Sequence, residues 1–298
     1  MPAPLPTAID TRDDQAPRPR WLDPVSYPFD IHRVPVGDHD VAYIDVGNGP
    51  VLLFVHVGTW SLVWRDVVLR LRDDFRCVAI DAPATGLSGG RPRSDANLAH
   101  ASDAVDAVVG ALGLDALTLV VHDLGGPASL LAASRWPEKV KGIVAVNTFG
   151  WKPSGLLLRM MLAVMGSAAM RVSDAATGWF ARLSSTRFGV GRHLSAGDRR
   201  VFRAGMDRRG RESFHHYIRS ARPGRTDYDA VASAVEALKR RPVLTIFGAR
   251  NDPGRFQAQW RERFAATTAA VVPKGYHFPM CDAPDLVADS IRAFAHGL

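Results

Sequence analysis

Three stretches of this chain place ionisable side chains where chemistry could use them. In VVHDLGGP, residues 120–127, a run of β-branched residues ends in Asp123, and Gly125 and Gly126 lead directly into a helix-like segment, ASLLAASRW. Further on, Asp252 follows VLTIFGARN and His277 follows AAVVPKGY. Val121-His122-Asp123-Leu124-Gly125 has the spacing of a strand-to-helix elbow that pushes its central side chain into a cleft, with Asp where such turns usually carry Ser. The turn is sharp, so its neighbours must be small, and the start of the following helix favours an anion at Asp123. Alone, Asp123 could merely cap a helix, His277 could be a packed histidine, and Asp252-Pro253 could begin a helix. Nucleophile, acid and histidine in that order, the last near the C-terminus, argue instead for a catalytic set with Asp252 orienting His277.

A carboxylate nucleophile limits the reaction. Attack on an ester would give a high-energy anhydride, whereas attack on an sp3 carbon bearing a halide or an epoxide oxygen gives a stable alkyl ester. His277 would then take a proton from the water that hydrolyses this ester, and backbone N–H groups of Leu124 and of Val57, in the loop after His56, would hold the oxyanion. No metal or organic cofactor is expected.

These residues need a scaffold that brings strand ends together. HDVAYIDVG and PVLLFVH read as a hairpin pair; SLVWRDVVLRL has helical spacing, FRCVAID reads as a buried strand, and a helix follows from about residue 97 to 112. ALTLVVHD, the helix ASLLAASRW and KGIVAVN continue a βαβ series, which demands a mostly parallel sheet covered on both faces. In such sheets ligands sit at the carboxyl ends of the strands, where Asp123, Asp252 and His277 fall. From about residue 151 to 239 the pattern is helical and rich in Met and Arg; strand character resumes with PVLTIFGA. The expected organisation is a lead-in over 1–26, an α/β core over 27–150 and 240–298, and a helical cap over 151–239.

With 298 residues, of which 47% are hydrophobic, the chain can bury a large core, and its net charge of +7 comes from scattered basic residues better read as solvated faces than as a nucleic-acid site. Cys77 and Cys281 form no disulfide framework or zinc motif, which makes a reducing cytoplasm the default location. The first 26 residues, rich in Pro and charge, read as a disordered segment without the apolar run of a signal peptide. Residues 155–170 are apolar but interrupted by Arg159 and short for a membrane span. Leu156, Leu157, Leu158, Met160, Met161, Met165 and Phe180 would give a cap that suits a small apolar substrate. Oligomeric state is left open.

From about Tyr27 to the C-terminus, YPFDIHRVPVGDHDVAYIDVGNGPVLLFVH, TWSLVWRDV, FRCVAIDAPATGLS, VVHDLGGP, VAVNTFGW and HFPMCDAPD resemble the α/β-hydrolase fold. Within it they are most similar to haloalkane dehalogenases, and next to epoxide hydrolases, the branch with an aspartate nucleophile. The resemblance implies a mostly parallel eight-stranded sheet with an inserted helical cap, Asp123 as nucleophile, His277 as base and Asp252 as acid, in preference to Asn147 at another subgroup's acid position. Two departures concern the leaving group: Leu124 stands where the relatives carry a Trp that holds the halide, and HVGTWS replaces their HGNP loop. Trp60 and Trp151 are candidate indole donors, and Tyr217 is a candidate acid for epoxide opening. A third departure puts Asn251, not Asp252, at the family's spacing after Gly248. A weakly catalytic or non-catalytic small-molecule binder is the alternative of another class.

Overall fold

A computed structural model describes residues 16–90 and 97–298. The chain begins with β1 (His32–Val36), β2 (His39–Val46), β3 (Val51–Val57), α1 (Arg65–Leu71), β4 (Arg76–Asp81) and α2 (Leu98–Ala111). It continues with β5 (Leu117–Asp123), α3 (Gly125–Ala133) and β6 (Val140–Thr148). Six helices follow: α4 (Leu156–Met165), α5 (Ala168–Thr177), α6 (Trp179–Ser184), α7 (Ala196–Gly205), α8 (Arg208–Ser220) and α9 (Tyr228–Leu238). Then come β7 (Val243–Gly248), α10 (Phe256–Arg263), β8 (Thr267–Val272), α11 (Pro279–Asp282) and α12 (Pro284–Ala295).

The eight strands form one sheet in the order β1-β2-β4-β3-β5-β6-β7-β8. β1 and β2 are antiparallel to their neighbours and every other pairing is parallel. The continuous apolar runs of the central strands follow from burial on both faces. In β3, Leu53, Val55 and Val57 enter the core shared with α2 and α3, while Leu52 and Phe54 enter the opposite core with α1 and α12. Each such side chain removed from water stabilises the fold by roughly 1.5–3 kcal/mol.

Two sequence expectations are corrected. HDVAYIDVG and PVLLFVH do not pair with each other: β4 lies between β2 and β3, and the hairpin is β1–β2, closed at Gly37 with φ +60°. Pattern alone cannot reveal which strand inserts between two others. The lead-in is also not loose throughout. Residues 1–15 lie outside the described residues, but from Ala16 the chain is anchored: Arg18 donates to the carbonyls of Tyr27 and Phe29, Leu22 is buried, and Trp21 meets Trp60 edge-on.

Between β6 and β7 the described residues contain helices and no strand of the sheet. α4 and α5 pack on α8, whereas α9 packs on α3 and so belongs to the layer covering the sheet.

Candidate active site

Asp123 is the last residue of β5 and stands in the left-handed region, φ +50°, where the register with β6 shifts. An aspartate tolerates this conformation better than most residues, and its persistence here means the surroundings impose it. They do so by close approach. A Cβ on Gly125 would lie 2.4 Å from the Val55 carbonyl oxygen, and one on Gly126 would lie 2.1 Å from Thr148 Oγ1 and 2.4 Å from the Phe149 carbonyl oxygen. α3 can therefore press against β3 and β6 only because its first two residues are glycines. The Thr148 hydroxyl donates to the Asp123 carbonyl at 2.5 Å, pinning the elbow.

The side chain of Asp123 faces His277, with Nε2 at 3.4 Å from Oδ2. The other ring nitrogen of His277, Nδ1, lies 3.1 Å from Oδ1 of Asn251. An amide oxygen can only accept, so Nδ1 carries the hydrogen and Nε2 of the neutral ring presents a lone pair toward Asp123. Asn147, another left-handed residue at φ +38°, orients that amide. Its Nδ2 donates to Asn251 Oδ1 at 3.2 Å and to the Asn251 carbonyl, while its Oδ1 accepts from the Gly248 N–H at 2.7 Å.

The expectation for Asp252 is corrected here. Its carboxylate accepts from the N–H groups of Phe256 (2.6 Å) and Gln257 (3.2 Å) at the start of α10, turned away from His277. The physical reason is local: unpaired N–H groups of a helix start attract the nearest carboxylate. The residue that meets His277 is the one at the family spacing after Gly248, and that spacing was the available signal.

A buried relay lies beneath these groups. The Thr59 N–H donates to His56 Nε2 (2.9 Å), His56 Nδ1 meets His122 Nδ1 (2.8 Å), and His122 Nε2 reaches the His277 carbonyl (2.7 Å). Only one assignment satisfies every bond: His56 is protonated on Nδ1, His122 on Nε2, and both rings are neutral. Burial, reinforced by His277, pushes His56 down to about 3 and His122 well below the ordinary histidine value. The relay ties the loop after β3 to the loop carrying His277. Nothing in the spacing of His56 and His122 announces it; their pairing follows from the β3–β5 register, which aligns them side by side.

Above Asp123 is a cavity of about 390 Å³ whose wall is mostly apolar, including Leu124, Phe149, Leu158, Met161, Phe214 and Phe278. Its polar wall comes from Asp123, His277, Asn147, Asn251, Ser184 and Thr59. Thr59 Oγ1 is buried and has no partner among the described residues.

The three leaving-group candidates are elsewhere. Trp60 is buried and donates to the Phe202 carbonyl at 3.1 Å, and Tyr217 donates to the Pro83 carbonyl at 3.1 Å. Trp151 packs against Trp260 and Phe256 with Arg263 over its ring. None of the three lines the cavity. Val57, expected to contribute its backbone N–H, is the last residue of β3, with its side chain in the core and in register with Asp123, and the next residue, Gly58, φ +126°, also lies against the nucleophile: a Cβ there would stand 3.9 Å from Asp123 Oδ2. Leu124 does line the cavity.

An elbow at the carboxyl end of a central strand, a histidine on a late loop and helices between two parallel strands of one mostly parallel sheet define a class. A family model for the alpha/beta hydrolase fold matches residues 50–200, and the chain belongs to that family. It is an enzyme of this fold, and it is similar to proteins named as dehalogenases. Haloalkane dehalogenase 2 of Mycobacterium tuberculosis is 30% identical over 278 residues, spanning 90% of this chain and 96% of the relative. A cis-3-alkyl-4-alkyloxetan-2-one decarboxylase of Shewanella oneidensis is 26% identical over 282 residues, covering 90% of this chain and 88% of its own length. Among solved structures, haloalkane dehalogenase DbeA from Bradyrhizobium elkani superimposes with a TM-score of 0.76 at 20% identity, covering 90% of this chain and 97% of its own. DatA from Agrobacterium tumefaciens gives 0.77 at 19% identity, covering 90% and 96%.

Proposed function

We propose that this enzyme hydrolyses a carbon–halogen bond of a small apolar substrate through a covalent alkyl ester on Asp123. The observation that carries the proposal is Asp123 held at φ +50° on the floor of an apolar cavity with His277 Nε2 3.4 Å away. An Asp123 oxygen attacks the sp3 carbon from the side opposite the halogen, forming the C–O bond as the C–X electron pair leaves with the halide. His277 Nε2 then takes a proton from water, and the hydroxide adds to the Asp123 Cγ. The N–H groups of Leu124 and Gly58 hold the resulting oxyanion. Collapse expels the alkoxide, which takes the proton from His277 and leaves as the alcohol, and the Asp123 carboxylic acid then gives its proton through His277 to solvent, balancing the halide released and restoring the carboxylate. Asn251, fixed by Asn147, keeps the ring in the tautomer that can act as base but adds no negative charge to stabilise the imidazolium. Helices α4–α8, within residues 151–239, act as the cap that excludes water.

The leaving group favours one second possibility. Thr59 Oγ1 is the unpartnered buried donor on the cavity wall, and a single hydroxyl suits an oxygen leaving group held in a strained ring better than a free halide. A relative is named for action on oxetan-2-ones, and epoxide opening has the same need, without Tyr217 as its acid.

Turnover in heavy-oxygen water, followed by mass analysis of the Asp123 peptide, tests the common step. Label must enter the Asp123 carboxylate; verified turnover without label refutes the ester. Parallel assays with an alkyl bromide, a terminal epoxide and an alkyl oxetanone separate the leaving groups. Binding of all three without turnover, and with no ester trapped in a His277→Ala variant, would make the protein a binder.

A further inference from the structure

Two features of the helical insert extend beyond the cavity at Asp123. α4 is apolar almost all round, yet only one side is covered: Leu162 is buried, with Leu158 and Met165 packed against the core beside it. On its outward side Leu156, Leu157, Met160, Met161 and Val164 are 46–73% exposed. At 100° per residue these five share one face roughly 140° wide. A large apolar stripe left in water marks an interaction surface. The stripe runs to the cavity mouth, because Met161 also lines the cavity together with the exposed Leu183 and Phe188.

Where α4 ends, the turn Gly166-Ser167-Ala168 borders a second hollow of about 260 Å³, lined by Arg171, His216, Arg219, Arg222 and Arg225. Arg171 pairs with Glu212 at 3.2 Å. Among the described residues no carboxylate pairs with Arg219, Arg222 or Arg225. His216, only 6% exposed, lines the hollow, and its ring has no hydrogen-bond partner among the described residues. Burial first, then the Arg171 and Arg219 charges, push its pKa down. The start of α5, with Ser167 as its cap, adds its dipole to the same side. Guanidinium groups, an imidazole and a helix start converging on one hollow match a phosphate group.

We propose that the α4 face and the arginine hollow together dock this protein on an anionic phospholipid bilayer, with the headgroup phosphate in the hollow and α4 lying in the interface. A soluble phosphate would leave the stripe uncovered, and a second copy of this chain would bring an equally basic hollow against this one. A bilayer supplies phosphate and hydrocarbon at neighbouring depths, and here the hollow begins at Gly166, where α4 ends. The net charge of +7 adds long-range attraction. No single helix among the described residues is long and apolar enough to cross a membrane; α4 and α5 reach that length only as a pair bent by 53°, and α5 is held to α8 by Arg171–Glu212 and Asp174–His215, so the contact proposed is with the surface. The cavity mouth then faces the lipid, which admits apolar substrates from the bilayer. The proposal is independent of the chemistry at Asp123, because its readout is binding.

The test is sedimentation of the full chain with vesicles of phosphatidylcholine alone and of phosphatidylcholine with phosphatidylglycerol at low salt. Binding is expected to the anionic vesicles and to weaken as salt rises. Each basic group near an anionic surface contributes about a fivefold gain in partitioning, so R219Q/R222Q/R225Q should lose on the order of a hundredfold. L156S/L157S, on exposed positions, should lose about tenfold or more with an unchanged melting temperature. R240Q/R261Q, a pair of basic residues elsewhere, should lose less than the hollow variant. Absence of binding to anionic vesicles at low salt overturns the proposal. So does equal loss in the R240Q/R261Q control, a dimer in solution that L156S/L157S abolishes, or saturable binding of inorganic phosphate in the hollow without vesicle binding.

Discussion

Acidification attacks the two histidines beneath the site, and the size of the effect follows from their burial. His56 and His122 are 1% and 0% exposed. Burial is the largest cause of their depressed pKa values, with His277 next, and His56 is pushed down to about 3. In the folded protein both stay neutral, whereas in the unfolded chain they take up protons near the ordinary 6.5. Below that value the unfolded state therefore binds more protons, so stability present above pH 6.5 is lost as the pH falls toward the folded values. Each withheld proton costs about 1.4 kcal/mol per pH unit, so two histidines taken to about pH 4.5 cost roughly 5 kcal/mol. That is comparable to the entire stability of many domains, about 5–15 kcal/mol. Urea unfolding across this range should show a slope of about 2.7 kcal/mol per pH unit beyond what the remaining groups contribute. A His56→Leu/His122→Leu variant should lose that increment. Ring resonances of the native protein provide the check that does not depend on the variant folding: neither ring should titrate between about pH 8 and 5. Protonation of either ring in the folded protein above about pH 5.5 would refute the reasoning, as would an identical slope in the double variant.

Replacing Asn251 with Ala removes the acceptor for His277 Nδ1 and the side-chain partner of Asn147, whose bond to the residue 251 carbonyl remains, and should lower turnover by roughly a hundredfold or more while leaving ester formation intact in single-turnover mass analysis. Asp252→Ala removes a helix cap and should reduce stability by about 1 kcal/mol in denaturant titrations, with turnover within about threefold of the parent. Gly126→Ala forces a Cβ to 2.1 Å from Thr148 Oγ1 and 2.4 Å from a backbone carbonyl, and should destabilise by about 3 kcal/mol or more, measured by thermal unfolding. Trp60→Phe should reduce stability by about 0.5–1.5 kcal/mol through loss of the indole bond to the Phe202 carbonyl, which keeps the Met206 N–H, without changing substrate affinity, because Trp60 does not line the cavity.

How much of this was legible differs by the range of the interaction. Alternating strand and helix patterns carry local information, so the parallel sheet, the elbow at Asp123 and the helical stretch after β6 can be read from neighbours along the chain. Strand order cannot: β4 slipping between β2 and β3 is a choice among distant partners, and the sequence pattern suits either pairing. The same limit governs the site. Residue type and order place a carboxylate and a histidine at strand ends, but whether Asn251 or Asp252 meets His277 turns on a few ångströms of loop path, and the N–H groups of α10 decide it by claiming Asp252.

By itself the sequence determined the kinds of group available and their order: a strand-end aspartate with a glycine pair two residues on, a late histidine, and Leu124 in place of an indole. Tertiary structure decided which groups meet. It buried the indoles of Trp60 and Trp151 and the phenol of Tyr217 away from the cavity, left the Thr59 hydroxyl unpartnered on its wall, and joined His56 to His122 across two parallel strands. The physical reason is that side-chain direction and polar satisfaction are set by packing between elements far apart in the chain, where a displacement of one residue turns a donor from the cavity into the core.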